Sequence, residues 1–160
     1  MRIRLAAPLA ALAVAAGILT AGAAPALAAD PPKTAPGSPL AKVAFPVQPF
    51  PLADDGTYAG FMADVAKSVK RTCGRVEAYG WEFPGATTAA EQLQVTRVVQ
   101  STMGNFEKVG YSLQEAKDAT LPDQEMVAYT AEKDRTTLLL VWTPLADSAM
   151  LLLCDASSAK

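Results

Sequence analysis

Residues 137–155 read TLLLVWTPLADSAMLLLCD, two apolar runs separated by Pro144 to Ser148. A bilayer span needs ~20 apolar residues, and each run here holds only five to seven. The runs therefore read as two strands of a hairpin with PLADS as its turn. Leucine falls on both faces of each strand, whereas a sheet with one face in solvent alternates apolar with polar residues. Both faces of this hairpin are expected to be covered.

Working back toward the N-terminus, EMVAYTAE (125–132) is a third strand with Val127, Tyr129 and Ala131 on one side, joined to TTLLLVWT by the tight turn Lys133-Asp134-Arg135. Connections this short make neighbouring strands antiparallel. Tyr111–Ala119 reads as a short or edge strand. Between Ala89 and Gly110, Val95, Val98, Val99, Thr102, Met103 and Phe106 form one stripe of an amphipathic helix. Thr87 or Thr88 is placed to cap it, with Glu91 three residues beyond Thr88. RVEAYGWEF (75–83) alternates, putting Tyr79, Trp81 and Phe83 on one face with Arg75 and Glu77. In GFMADVAKSVKRTC (60–73), Phe61, Val65, Val69 and Cys73 recur every fourth residue, predicting a helix that carries Cys73 on its core face and stops at Gly74. The fold class expected is α+β, a single small domain in which two amphipathic helices pack on an antiparallel sheet, in the order helix, strand, helix, strand meander, with one disulfide.

The chain begins differently. Arg2 and Arg4 precede an apolar run from Leu5 to Leu19, followed by TAGAAPALAAD. A basic start, an apolar core and small residues at the end make a secretory signal peptide over residues 1–28, cut after Ala28. No membrane span is expected after cleavage, and the alanine-rich leader suggests a bacterium, with the periplasm ahead of the medium as destination. Residues 29–56 carry seven prolines, at 31, 32, 36, 39, 46, 49 and 51, and end in the turn signal Asp54-Asp55-Gly56. Proline lacks a backbone donor and keeps its neighbour extended, so this segment is expected as a tether. Phe45, Val47, Phe50 and Leu52 are unusually apolar for one, which leaves open that it docks a partner or lies across the domain. The domain itself is expected over 57–157, with 158–160 as a tail.

Composition narrows the chemistry. Without Arg2 and Arg4, 12 basic residues face 16 acidic ones, a net charge of −4, which argues against nucleic acid as a partner because phosphate binding needs clustered cations. There is no histidine, which removes Ser-His-Asp and Cys-His catalysis and histidine-liganded metals. Neither GxxxxGK[ST] nor GxGxxG occurs, and no metal site or cofactor is expected. Glu77 and Glu82 flank an aromatic strand as paired carboxylates of a glycosidase might, but at i and i+5 they point to opposite faces. No enzymatic activity is expected.

Two cysteines in an exported chain read as a disulfide. Joining Cys73 to Cys154 would close a loop of about eighty residues, contributing ~4.5 kcal/mol by loop-closure entropy. No CxxC motif exists, and LLLC is an apolar setting for a thiol. What remains is binding: Tyr79, Trp81 and Phe83, with Tyr129 and Trp142 on neighbouring strands, could line a groove between sheet and helix suited to an apolar or aromatic small ligand. The expectation is thus an exported, non-catalytic binding or interaction module. The alternative is an accessory or chaperone-like scaffold component of a bacterial envelope protein assembly.

Overall fold

The computed structural model describes residues 33–83, 89–145 and 147–158. The leader and the Thr87/Thr88 cap lie outside these residues. The meander is the centre of the fold. Strand β6 (Val127–Lys133) turns into β7 (Thr136–Pro144), which turns into β8 (Ser148–Ser158). Asp134 takes φ 52°, the left-handed conformation a tight hairpin demands and that aspartate tolerates. The second turn closes where the Leu145 N–H donates to the Ser148 carbonyl at 2.9 Å.

The remaining strands are β1 (Gly37–Ser38), β2 (Val43–Ala44), β3 (Phe50–Pro51), β4 (Arg71–Glu82) and β5 (Ser112–Glu115); the helices are α1 (Thr57–Ser68) and α2 (Ala89–Lys108). The main sheet runs β3-β4-β8-β7-β6-β5, with every pair antiparallel. It has six strands: the meander β5 to β8, β4 paired along the far side of β8, and β3 capping β4. Tyr111–Ala119 supplies the edge strand β5, as its short polar sequence predicts.

Each helix covers one face. On the first, Met62, Val65 and Ala66 of α1 press on Ala78, Leu139, Val141, Leu152 and Cys154. On the other, Val95, Val98 and Phe106 of α2 press on Leu138, Leu140, Trp142, Leu151 and Leu153. The leucines of β7 and β8 on both faces are at most 1 % exposed, each contributing roughly 2 kcal/mol of burial before conformational entropy is subtracted. α1 is started by Asp54, whose carboxylate accepts the Tyr58 and Ala59 N–H groups at 3.0 and 3.1 Å. The same turn holds the exposed Asp55 carboxyl below its ordinary pKa, through hydrogen bonds from the Thr57 side chain and backbone.

Two expectations are corrected. The helix does not reach Cys73: α1 ends at Ser68, Lys70 turns the chain at φ 56°, and Arg71 already begins β4. The every-fourth-residue pattern simply ran on across the turn into a strand. The disulfide does form between Cys73 and Cys154, with Cα atoms 5.6 Å apart, but it joins two neighbouring strands rather than a helix to a strand. A bulge makes this possible. Cys73 lies opposite Ala156 and Val76 opposite Cys154, so Gly74 and Arg75 together face Asp155 alone. The extra residue reverses the alternation and turns Cys73 toward the α1 face, where Cys154 is buried.

The second correction concerns the proline-rich segment. From residue 33 it is a strap laid over the α2 face rather than a tether, the course across the domain that its apolar residues left open. Ala41, Val43 and Phe45 are buried in the core, β1 and β2 pair as a small ladder, and β3 joins the edge of the main sheet. Proline is tolerated because these are edge positions, where the missing donor costs no ladder bond. Polar ends are satisfied across the contact: Tyr111 Oη donates to the Ala41 carbonyl at 3.2 Å and Asn105 Nδ2 to that of Ala44 at 2.9 Å.

Candidate functional site

The five aromatic residues expected to line a groove separate into two groups. Tyr79 and Trp81 lie on the α2 face of β4, and the strap covers them. Phe45 sets its ring edge-on to both, with centroids 4.7 Å from Tyr79 and 5.6 Å from Trp81. The Trp81 indole N–H donates to the Val47 carbonyl at 2.8 Å. Tyr79 Oη donates to Glu77 Oε2 at 3.0 Å, and its phenol pKa is pushed well up, first by burial and then by the Glu77 charge. Phe83 is half-buried against the same core.

Glu77 is the polar anchor beneath the strap. Its carboxylate accepts from Ser38 Oγ at 2.6 Å, the Leu40 N–H at 3.0 Å and Arg75 Nη2 at 2.5 Å, besides Tyr79. A largely buried carboxylate needs such donors to offset lost hydration. This explains why Arg75 and Glu77 share a face with aromatic residues: they mark the attachment point of the strap. Glu82 is exposed at the end of the strand, so the two carboxylates do not converge.

Tyr129 and Trp142, the latter 2 % exposed, border an open cleft. Between α2 and strands β6 and β7 lies a cleft of about 290 Å³, lined by Val95, Thr96, Val99, Gln100, Val127, Tyr129, Trp142 and Pro144. Trp142 stacks at 5.3 Å on Trp81. The two indoles meet diagonally across β8, where Ala149 lies opposite Trp81 and Leu151 opposite Trp142. Its own N–H is aimed at Met103 Sδ, 3.1 Å away, a soft acceptor that leaves the ring plane as an apolar wall. On the helix side, Val95 and Val99 are one i, i+4 pair and Thr96 and Gln100 another. The first pair faces the sheet, and the second forms the mouth.

Sequence reasoning located Tyr129 and Trp142 but missed Val95, Thr96, Val99, Gln100, Val127 and Pro144, since a stripe of helical valines reads as core whether or not a gap adjoins it. A larger depression of about 730 Å³ lies between the end of α1 and β5, lined among others by Lys70, Arg71, Lys117, Glu115 and Asp118. Its mixed charges focus no field of either sign, and Arg71 is paired with Glu132 at 3.0 Å. Among the described residues no three Cys, Asp or Glu side chains converge as metal ligands, and no helix is long and apolar enough to cross a membrane. Compared with family models, curated proteins and solved structures, the chain matches none.

Proposed function

We propose that this protein is an exported, non-catalytic binding module that holds a small apolar or aromatic molecule in the cleft between α2 and strands β6 and β7. The observation that carries the reading is the cleft itself: an opening at the helix–sheet contact whose walls are valine, proline and two aromatic rings. Ligand sites in small domains are concave, mostly apolar and marked by a few polar groups. Thr96 and Gln100 supply those groups here. Export is supported by the signal-like leader and by the disulfide, a bond that persists in oxidising compartments; the periplasm is the proposed location.

The test is a small panel of neutral aromatic, sterol and lipid compounds titrated against tryptophan fluorescence, with Trp142→Phe as control. Binding changes the emission of the native protein through Trp142, and the change is lost in the variant. No response from any compound in either tryptophan would refute the reading.

A further inference from the structure

We propose that the strap is a transferable segment whose seat also accepts the strap of a second copy of this chain, so that two chains form a dimer by exchanging residues 33–52. The exchange is independent of the cleft, whose lining holds no strap residue.

The strap is held much as a bound peptide is held. Its carbonyls at Ala41, Ala44 and Val47, three residues apart, accept from side chains of the body: Tyr111 Oη, Asn105 Nδ2 and the Trp81 indole N–H. Its own donors, Ser38 Oγ and the Leu40 N–H, go to the Glu77 carboxylate, and Phe45 sets its ring against Tyr79 and Trp81. Among the described residues, ladder bonding to the body is confined to Phe50–Pro51 and the Leu52 N–H. β1 and β2 pair with each other, so the strap carries that ladder with it. None of these contacts requires strap and body to belong to one chain.

The connection is equally local. The strap precedes α1, and one linker, Ala53–Gly56, joins the two; all four of its residues are exposed. Gly56 closes the turn at φ 101°, with nothing within 4 Å of where a Cβ would stand. Opening that turn frees the strap as a unit. Tyr79 and Trp81, 4 and 2 % exposed beneath it, would then be bare, and the segment that restores every one of these contacts is the same strap from another copy. Exchange conserves the buried surface and changes the linker alone, which is why swapping an identical element is a low-cost route to a dimer.

The experiment uses the full chain with its disulfide intact. Isotopically heavy and light protein are mixed in urea, refolded together at high concentration, separated by size and treated with an amine cross-linker. Lys42, near the Ala44 contact, and Lys108, whose Nζ donates to Asn105 Oδ1 at 3.2 Å, flank the seat, so a Lys42–Lys108 link records which copy's strap occupies it. A dimer fraction in which heavy–light links equal same-label links is expected, because in an exchanged dimer every such link joins two chains. Gly56→Pro is expected to enlarge that fraction about tenfold, since proline is excluded from φ 101° and the opened linker relieves the strain. The parent chain answers alone if the variant fails to refold. A dimer whose links are nearly all same-label has its straps at home and would overturn the proposal, as would the absence of any dimer from the parent and the variant alike. A Gly56→Pro fraction no larger than the parent's would overturn the assignment of the hinge.

Discussion

Replacing Phe45 with alanine separates a strap that is part of the core from a segment that merely rests on it. Phe45 is 5 % exposed and meets Tyr79 and Trp81 edge-on at 4.7 and 5.6 Å. Burying a phenylalanine side chain contributes about 2–3 kcal/mol, and each edge-to-face pair adds about 0.5–1.5 kcal/mol. The loss expected is therefore about 3–5 kcal/mol, in line with buried Phe→Ala substitutions generally. In a domain of this size that corresponds to a fall in Tm of roughly 10 °C or more. The assay is urea unfolding followed by tryptophan fluorescence, which reports directly because Trp81 lies under the ring. Val47→Ala in the same segment, at a residue 46 % exposed, is the matched control and should cost less than about 0.5 kcal/mol. A Phe45→Ala loss no larger than that of the control would refute the reasoning, since it would mean that the strap leaves the sheet without disturbing the fold.

Three further outcomes are expected. Cys73→Ala with Cys154→Ala should destabilise the domain by up to ~4.5 kcal/mol in the loop-closure estimate; a urea midpoint unmoved by the double substitution, or native protein with titratable thiols, would contradict the staple. Glu77→Ala should cost about 2–4 kcal/mol, because Tyr79 Oη, Ser38 Oγ and the Leu40 N–H all lose their acceptor, and the loss should shrink when Tyr79→Phe and Ser38→Ala are already present. Burial, then the Glu77 charge, raises the pKa of Tyr79, so the folded state retains a proton that the unfolded chain releases near pH 10. Stability from this group is complete below that pH and declines above it. The stability difference between the native protein and Tyr79→Phe should accordingly narrow in alkaline solution; a constant difference through that range would show that Tyr79 ionises freely in the fold.

The sheet was the most readable part of the chain, and for a physical reason. Leu138 to Val141 and Leu151 to Leu153 are apolar on both faces, a pattern only a doubly covered strand requires, and PLADS between them admits little but a turn. The stripe from Val95 to Phe106 was equally plain. Cys73 was misplaced because helical spacing from Phe61 onward does not reveal the point at which Lys70 adopts positive φ, and strand alternation cannot anticipate a bulge. The strap was hidden by its prolines. They exclude helix and central strand, yet Ala41, Val43 and Phe45 alternate with polar Lys42 and with Ala44, a period-two signal strong enough to suggest one buried side. Tyr79, Trp81, Phe83, Tyr129 and Trp142 all pack in the core on one face of the sheet. What local pattern could not say is that another part of the same chain covers two of them and leaves Trp142 at the edge of a cleft.

The covalent link between β4 and β8 also defines how the domain would bear load. Tension applied across residues 33 and 158 enters β4 and β8 from opposite ends of the chain, and the two strands are joined at Cys73 and Cys154, 81 residues apart in sequence. Everything between the cysteines, including α2, the cleft and the strands β5 to β7, is shielded from the pull. Only the strap, α1 and the last few residues can be drawn out, and roughly 280 Å of contour stays locked at ~3.5 Å per residue. Under force the protein behaves as a short extensible segment attached to an inextensible unit, and a reductant would release the missing length in one step.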